Sequence, residues 1–134
     1  VAKAKEAALA QADAGVDFWI ECGEGPALGA IEAAKEVGGY ATGYVGDMSE
    51  NGPDVVPISI FWNMEPLFVQ FMSDTLDGTF SDDPWYDYGV DDGVLELLYN
   101  EGMLDVIPEE AITDANQAVE DIIAGDLVVE FVAE

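Results

Sequence analysis

The sequence predicts an α/β fold in which a parallel sheet carries helices on both faces, built as a single domain over residues 1–134. Two observations support this prediction. The first half alternates helical and strand-like segments joined by tight glycine-rich turns, which is typical of parallel strands with crossover helices. The chain has 134 residues, half of them apolar, so it can bury one core but is too short for two.

The first half supplies the predicted sheet and the edge at which a ligand would bind. Its segments are a helix, a strand, a second helix and a second strand, at residues 2–14, 16–22, 27–37 and 40–45. Gly15 is a good cap for the first helix, and the apolar run after it is too short for a helix. Because crossovers are right-handed, the two strand ends near Glu21 and Asp47 should lie at one edge of the sheet. Ligands of open α/β sheets bind at that edge.

The second half is less regular. They are a strand, a helix, a short amphipathic helix, a brief strand, a long helix and a last strand, at residues 55–62, 65–76, 91–99, 104–107, 108–124 and 127–132. Pro57 favours an edge position or a bend between lobes for the first of them. The acidic, aromatic stretch 77–88 is predicted to be a loop that presents Trp85, Tyr86 and Tyr88.

The charge balance excludes whole classes of partner. Twenty-nine Asp and Glu residues face only Lys3, Lys5 and Lys35, which gives a net charge of −26. Nucleic acids and anionic membrane surfaces require Lys and Arg, so no nucleic-acid partner is expected. At about 1 M salt the Debye length falls to roughly 3 Å, and such a surface no longer repels itself. The composition therefore favours a halophilic protein over an acidic partner-binding domain, because the acids are spread along the whole chain.

The residue types needed for most catalysis are missing. Cys22 is the only cysteine and there is no histidine, so the usual ligands of zinc and haem and the usual acid–base catalyst are absent. No Gly-x-Ser-x-Gly turn marks a serine nucleophile. The acidic stretch 81–93 lacks the ligand spacing of a calcium loop. We therefore predict no catalytic residue, no bound metal and no cofactor.

Polar and aromatic residues at the predicted strand ends are the candidate ligand contacts. They are Glu21, Gly23, Glu24, Asp47, Met48, Trp62 and Asn63. The carboxylates of Glu21 and Glu24 are expected to hydrogen-bond a ligand rather than to perform acid–base catalysis. A flat ring beside amide and carboxylate groups suits a planar, hydroxylated ligand. Core packing is an equally good interpretation of Trp62.

Ten short motifs, in order along nearly the whole chain, resemble one family. They are DFWI (17–20), GPA (25–27), AIEAAKEVG (30–38), YATGY (40–44), GDM (46–48), GPD (52–54), ISIFWN (58–63), LDGTF (76–80), GVDDGV (89–94) and IIAG (122–125). Together they resemble the basic membrane protein family. Its members are substrate-binding lipoproteins of ABC importers, and some of them bind purine nucleosides.

The resemblance implies a fold, a place and a partner. It implies the later part of a two-lobed type I periplasmic-binding fold, with an interlobe crossing within residues 48–80. It further implies a nucleoside-like solute held between lobes, a lipid anchor on the extracellular face of the cell membrane, and an ABC permease as partner. Nucleoside-binding members typically carry Asp where Val45 stands and Lys where Trp62 stands. Asp47 matches the family's second acid and is therefore the expected polar contact.

Two other functions remain open on this fold. The same two-lobed architecture serves ligand-sensing domains of regulators and sensors, and it also serves hydrolases of sugars or nucleotides. The receptor interpretation predicts reversible binding without turnover.

Overall fold

The computed structural model describes residues 1–81 and 88–130, and it has a mixed α/β architecture with a parallel sheet. The helices are α1 Ala2–Asp13, α2 Glu24–Val37, α3 Glu65–Asp77 and α4 Glu109–Ala124. The strands are β1 Phe18–Trp19, β2 Tyr40–Ala41, β3 Gly43–Val45, β4 Ile58–Trp62 and β5 Leu95–Tyr99. Short 3₁₀ turns lie at Ser49–Asn51 and Glu101–Met103.

The chain divides into two compact units. The first unit comprises Val1–Trp62 and Leu97–Pro108, and the second comprises Asn63–Glu96 and Glu109–Glu134. The chain therefore passes from one unit to the other directly after β4, within β5, and immediately before α4.

Parallel pairing in the first unit creates the edge that the sequence predicted. Strand β1 pairs with β2, with Phe18 opposite Tyr40. Strand β3 pairs with β4, with Gly43 opposite Ser59. Only Thr42 separates β2 from β3, so the chain continues in the same direction through both. The carboxyl ends of β1, β3 and β4 therefore share one edge, which we call the rim, and the predicted parallel arrangement is confirmed.

The third sheet strand in this region is β5, where the sequence predicted a helix at residues 91–99. That prediction is wrong. Gly93 has a φ of +68°, which ends any helix before Leu95. Backbone N–H groups of Asn63 and Asn100 donate to Val94 (2.8 Å) and Pro57 (2.9 Å) at opposite ends of β4. This pattern makes β5 antiparallel to β4.

Two further predicted strands do not form in the described residues. Residues 104–107 follow a 3₁₀ turn in which the Asn100 side chain accepts from the Gly102 N–H at 3.0 Å, so this segment turns instead of extending. After α4, the N–H groups of Asp126 and Leu127 both donate to the Asp121 carbonyl. These bonds keep the chain on the end of the helix, and residues 127–130 contain no strand. Residues 131 and 132 of that prediction lie outside the described residues.

Small side chains let α1 and α2 approach closely in the first unit. A Cβ at Gly29 would lie 2.6 Å from the Val1 carbonyl oxygen, so the helices touch through backbone at this point. The buried cluster contains Ala8, Trp19, Ala27, Ala30, Ile31, Ala33, Ala34, Ala41, Met48, Val55 and Val56. The Trp19 indole donates to Gln11 Oε1 at 2.9 Å, which joins β1 to α1. The rim thus stands on a packed core.

The second unit differs, because its helices bury no residue completely. Helices α3 and α4 both lack a fully buried side chain. On α3, an apolar stripe is formed by Phe68, Met72 and Leu76, which follow one another at four-residue spacing and are all exposed, Leu76 by 84%. None of the helices in the described part of the chain combines enough length with enough apolar character to cross a membrane.

Candidate functional site

The segment after β1 is fixed to the next strand by one buried hydroxyl. The backbone N–H of Glu21 donates to Thr42 Oγ1 at 3.1 Å, and the Thr42 N–H donates to the Trp19 carbonyl at 2.9 Å. Thr42 itself is buried. Glu21 is half-buried and therefore sits at the rim in a defined position.

Helix α2 begins directly at the rim. Its N-cap, Gly23, has φ +145° and ψ 131°, a backbone conformation that an L side chain rarely adopts. Glu24 is the first residue of the helix, is exposed, and places a negative charge beside the positive end of the helix dipole. Glu21 and Gly23 therefore lie on the connection between β1 and α2, and Glu24 begins the helix that follows it.

The connection after β3 carries backbone strain beside Asp47. Val45 has a φ of +72°, and a β-branched residue in this region is a genuine outlier. Such strain concentrates at functional sites, where surrounding structure holds it in place. Asp47 Oδ1 accepts the Ser49 N–H at 2.9 Å, and the exposed carboxylate retains further acceptor positions for a ligand.

Met48 belongs to the core rather than to the open surface of the rim. Its side chain is only 6% exposed and lies in the buried cluster of the first unit. Its backbone N–H donates to the buried Ser59 Oγ at 3.1 Å. This bond joins the loop after β3 to β4 and positions the neighbouring Asp47.

Three side chains connect the strand ends across the rim. The Cys22 thiol donates to the Tyr44 hydroxyl at 3.5 Å. The Tyr44 ring meets Trp62 edge-on, with ring centroids 5.7 Å apart and an interplanar angle of 64°. Trp62 is 39% exposed, so it is available to a ligand and does not belong to the buried core. We refer to Tyr44 and Trp62 as the aromatic pair.

Sequence reasoning did not select Tyr44 as a contact. The β3–β4 register places Tyr44 opposite Ile60, two residues before Trp62, so the two rings lie on the same face of the sheet. Side chains alternate between the two faces along each strand, but this alternation places Tyr44 beside Trp62 only once the pairing register of β3 and β4 is known.

Asn63 belongs to the second unit, where its side chain already has partners. Its amide nitrogen donates to Glu96 Oε1 at 3.0 Å, and its amide oxygen accepts the Glu65 N–H at 3.3 Å at the start of α3. These contacts give Asn63 a local structural role in starting α3 and joining it to β5.

The predicted aromatic loop is only partly described. Trp85 and Tyr86 lie outside the described residues, and Tyr88 is half-buried. No group of three or more His, Cys, Asp or Glu side chains within residues 1–81 and 88–130 could hold a metal ion.

A cavity of about 450 Å³ lies in the second unit, and its volume is within the usual range of ligand pockets. It is lined by residues of the turn around Asp91 and by the segment after α4, including Leu127 and Val129. None of the sequence-predicted contacts lines it. We therefore assign the candidate site to the rim, where strand ends, strain and exposed aromatic surface coincide.

The contact with Cys22 gives Tyr44 a testable property. The hydrogen bond with Cys22 raises the pKa of Tyr44 above the ordinary value of about 10, because the sulfur can accept the phenol proton and so favours the protonated ring; desolvation and the electrostatic effect of Cys22 add to this. We expect the Cys22→Ala variant to lower the pKa of Tyr44 toward the ordinary value. Ultraviolet titration measures this as the difference between each protein and its Tyr44→Phe counterpart. Identical difference curves with and without the thiol would contradict the contact.

Comparison with known proteins identifies first the class and then the family. The parallel α/β architecture is that of periplasmic-binding-protein-like solute-binding proteins. The sequence model of the Bmp family, described as ABC transporter substrate-binding protein PnrA-like, matches residues 1–130. The chain belongs to this family. No curated protein matches it significantly.

Solved structures support the fold over nearly the whole chain. A transcriptional activator of the comK gene from Bacillus halodurans is 26% identical with a TM-score of 0.79, covering 96% of this chain and 44% of its own. An ABC transporter solute-binding protein from Conexibacter woesei DSM 14684 is 18% identical with a TM-score of 0.69, covering 96% and 42%. One from Aeropyrum pernix K1 is 16% identical with a TM-score of 0.75, covering 96% and 44%. The chain thus spans less than half the length of these proteins.

Proposed function

We propose that this chain is part of the substrate-binding component of an ABC importer, which binds a small planar solute, such as a nucleoside or related heterocycle, and passes it to a membrane permease. Membership of the Bmp family over residues 1–130 supports the transport role. The observation that supports a planar solute is the aromatic pair at the carboxyl edge of the parallel sheet, in which Trp62 is exposed and Tyr44 is half-buried.

The rim offers both kinds of contact that such a solute needs. The face of Trp62 provides a stacking surface, and the carboxylate of Asp47 accepts hydrogen bonds from ring N–H or ribose hydroxyl groups. Glu21 and Glu24 add acceptors on the connection between β1 and α2. The surrounding bonds from Thr42 and Ser59 hold both connections in place, so the polar groups are positioned before a ligand arrives.

The family supports a place for this chain in the whole protein. The passage of the chain from one compact unit to the other after Trp62 supports an interlobe crossing within residues 48–80. A further lobe of the whole protein completes the enclosure of the solute. The whole protein is held by a lipid anchor on the outer face of the cell membrane. The net charge of −26 on this chain supports a saline working environment.

The test uses the full-length protein in molar salt. A thermal-shift screen with adenosine, inosine, guanosine, hypoxanthine and riboflavin identifies a ligand, because a compound that binds only the folded state raises its melting temperature. Trp62→Leu and Asp47→Asn should each weaken binding of that compound by about tenfold, with an unchanged melting temperature of the free protein.

Two residues of the same unit provide matched controls. Phe18 is 42% exposed, close to the exposure of Trp62, but lies at the start of β1, and the exposed Asp17 precedes that strand. Phe18→Leu and Asp17→Asn should therefore leave the affinity unchanged. A panel without any stabilising compound, or rim variants that bind like the controls, would contradict the proposal.

A second function has one specific observation in its favour. The Bacillus halodurans protein, 26% identical to this chain, is described as a transcriptional activator, so the same fold could sense a solute for a regulator. With only three basic residues this chain has no means of holding DNA itself. Fractionation of cells that express the full-length protein separates the alternatives, because a receptor accompanies the membrane and faces outward. A hydrolase would instead convert the bound nucleoside, which chromatography of the recovered compound detects.

A further inference from the structure

None of the residues assigned to the rim has a basic side chain. The three lysines are the only basic side chains of the whole sequence. Lys5 pairs with Glu36 at 2.9 Å, and Lys35 pairs with Glu32 at 2.7 Å. A helix rises about 1.5 Å per residue, so Lys35 stands about 16 Å farther along α2 than Glu24, which is at the rim. Lys3 is exposed on the first turn of α1.

The helix start that would normally bind a phosphate carries a carboxylate. In α/β proteins the first turn of the helix after β1 is a common anion site, because free N–H groups and the helix dipole favour negative charge. Here Glu24 occupies that turn, and Glu21 precedes it on the same connection. A phosphorylated solute would bring a like charge to both carboxylates, and no rim residue of this chain is basic to offset the repulsion.

The aromatic pair favours a positively charged solute, whereas the carboxylates repel a negatively charged one. Indole is the best aromatic partner for a cation, because the electron-rich face of the ring attracts positive charge. Trp62 is exposed, and Tyr44 meets it edge-on, which leaves a face of the indole free of that contact. Asp47 adds an exposed negative charge at the end of the neighbouring strand.

We propose that the rim selects a flat, positively charged ring over its neutral counterpart, and rejects the phosphorylated or anionic counterpart. The inference rests on the proposed function, since it specifies the chemical class of the solute bound at the same site. The ring of the solute stacks on Trp62, and its charge faces the carboxylates of the two connections.

Salt weakens the attraction of the carboxylates more than it weakens stacking of the cation on Trp62. The attraction of the carboxylates acts over the Debye length, about 8 Å at 0.15 M salt and about 3 Å at 1 M. Stacking of a cation on indole acts at contact distance and is screened less. The preference for a cation over a neutral ring therefore persists in molar salt, whereas the discrimination against phosphate weakens.

The experiment compares two matched series on the full-length protein by calorimetric titration near neutral pH. One series is 1-methyladenosine, which is cationic at this pH, adenosine and adenosine 5′-monophosphate. The other is 1-methylnicotinamide, nicotinamide and nicotinate, which are cationic, neutral and anionic. We expect the cation of each series to bind about fivefold to tenfold tighter than the neutral member, and the anion to bind weakest.

Variants test whether Trp62 and Glu24 cause the expected order of affinities, in which the cation binds tightest and the anion weakest. Trp62→Leu should remove most of the difference in affinity between the cation and the neutral compound in molar salt, where the attraction of the carboxylates is screened. Glu24→Gln should narrow the difference in affinity between adenosine and its monophosphate. Phe18→Leu, a comparably exposed aromatic away from the rim, should preserve the order.

The outcomes separate this inference from the function on which it rests. Binding in which neutral or anionic members equal the cations would overturn the charge preference and leave a receptor for planar solutes in place. No binding of any of the six compounds would overturn the charge preference, and no stabilising compound in the thermal-shift panel as well would overturn the proposed function.

Discussion

Replacing Gly43 with valine should separate β3 from β4 and lower the free energy of unfolding by about 3 kcal/mol. Gly43 lies opposite Ser59, and a Cβ at this position would stand 2.8 Å from Ser59 Cβ and 3.0 Å from Met48 Cβ. The bond between Ser59 and the Met48 N–H would be displaced, which leaves buried polar groups unsatisfied. Denaturant unfolding of the protein in molar salt, followed by circular dichroism, measures the loss.

Gly46 is the matched control for this substitution. It lies three residues further along the same connection, and a Cβ there would have no neighbour within 4 Å. Gly46→Ala should therefore leave the unfolding midpoint within experimental error. Equal midpoints for the two variants would show that the close contact of β3 with β4 does not determine stability.

Removing salt should have the second large effect. With a net charge of −26 on 134 residues, lowering salt from about 2 M to about 0.1 M lengthens the Debye length from roughly 2 Å to about 10 Å and exposes the carboxylates to mutual repulsion. We expect the melting temperature to fall by more than about 15 °C, which corresponds to a few kcal/mol for a domain of this size.

A non-ionic cosolvent distinguishes stabilisation by charge screening from stabilisation by exclusion of the cosolvent from the protein surface. Sucrose strengthens burial without screening charge, so about 1 M sucrose in dilute buffer should restore only a small part of the stability. Sodium chloride should restore most of it below about 1 M, because screening saturates as the Debye length approaches contact distance. A melting temperature that is independent of salt would argue against a saline habitat.

The parallel edge was predictable because its determinants are local. The glycine-rich joints after the first helix and the second helix restrict how the chain can return, and handedness then sets the direction of both strands. Glu21 and Asp47 were expected at the rim for this reason. Each lies two residues after the end of a strand, so its placement needed no knowledge of tertiary contacts.

The features that sequence reasoning missed depend on contacts between distant segments. Strand β5 has a leucine-rich sequence compatible with a helix, and its pairing with β4 decides the outcome. Tyr44 enters the site only through the β3–β4 register and through Cys22. Asn63 follows Trp62 directly, yet its bonds to Glu96 and Glu65 lie in the second unit. The family resemblance indicated a crossing only to within residues 48–80, and no local pattern places the division between Trp62 and Asn63.

Salt also affects the apolar stripe on α3, through the solubility of hydrocarbon and not through charge. Phe68 and Met72 lie within residues 66–73, eight consecutive positions that carry no charge, and Leu76 follows one helical turn after Met72. Concentrated salt relaxes repulsion between carboxylates, but it also makes water a poorer solvent for hydrocarbon. The salt concentration that stabilises the acidic surface therefore also increases the free energy gained when the apolar stripe of this helix is covered.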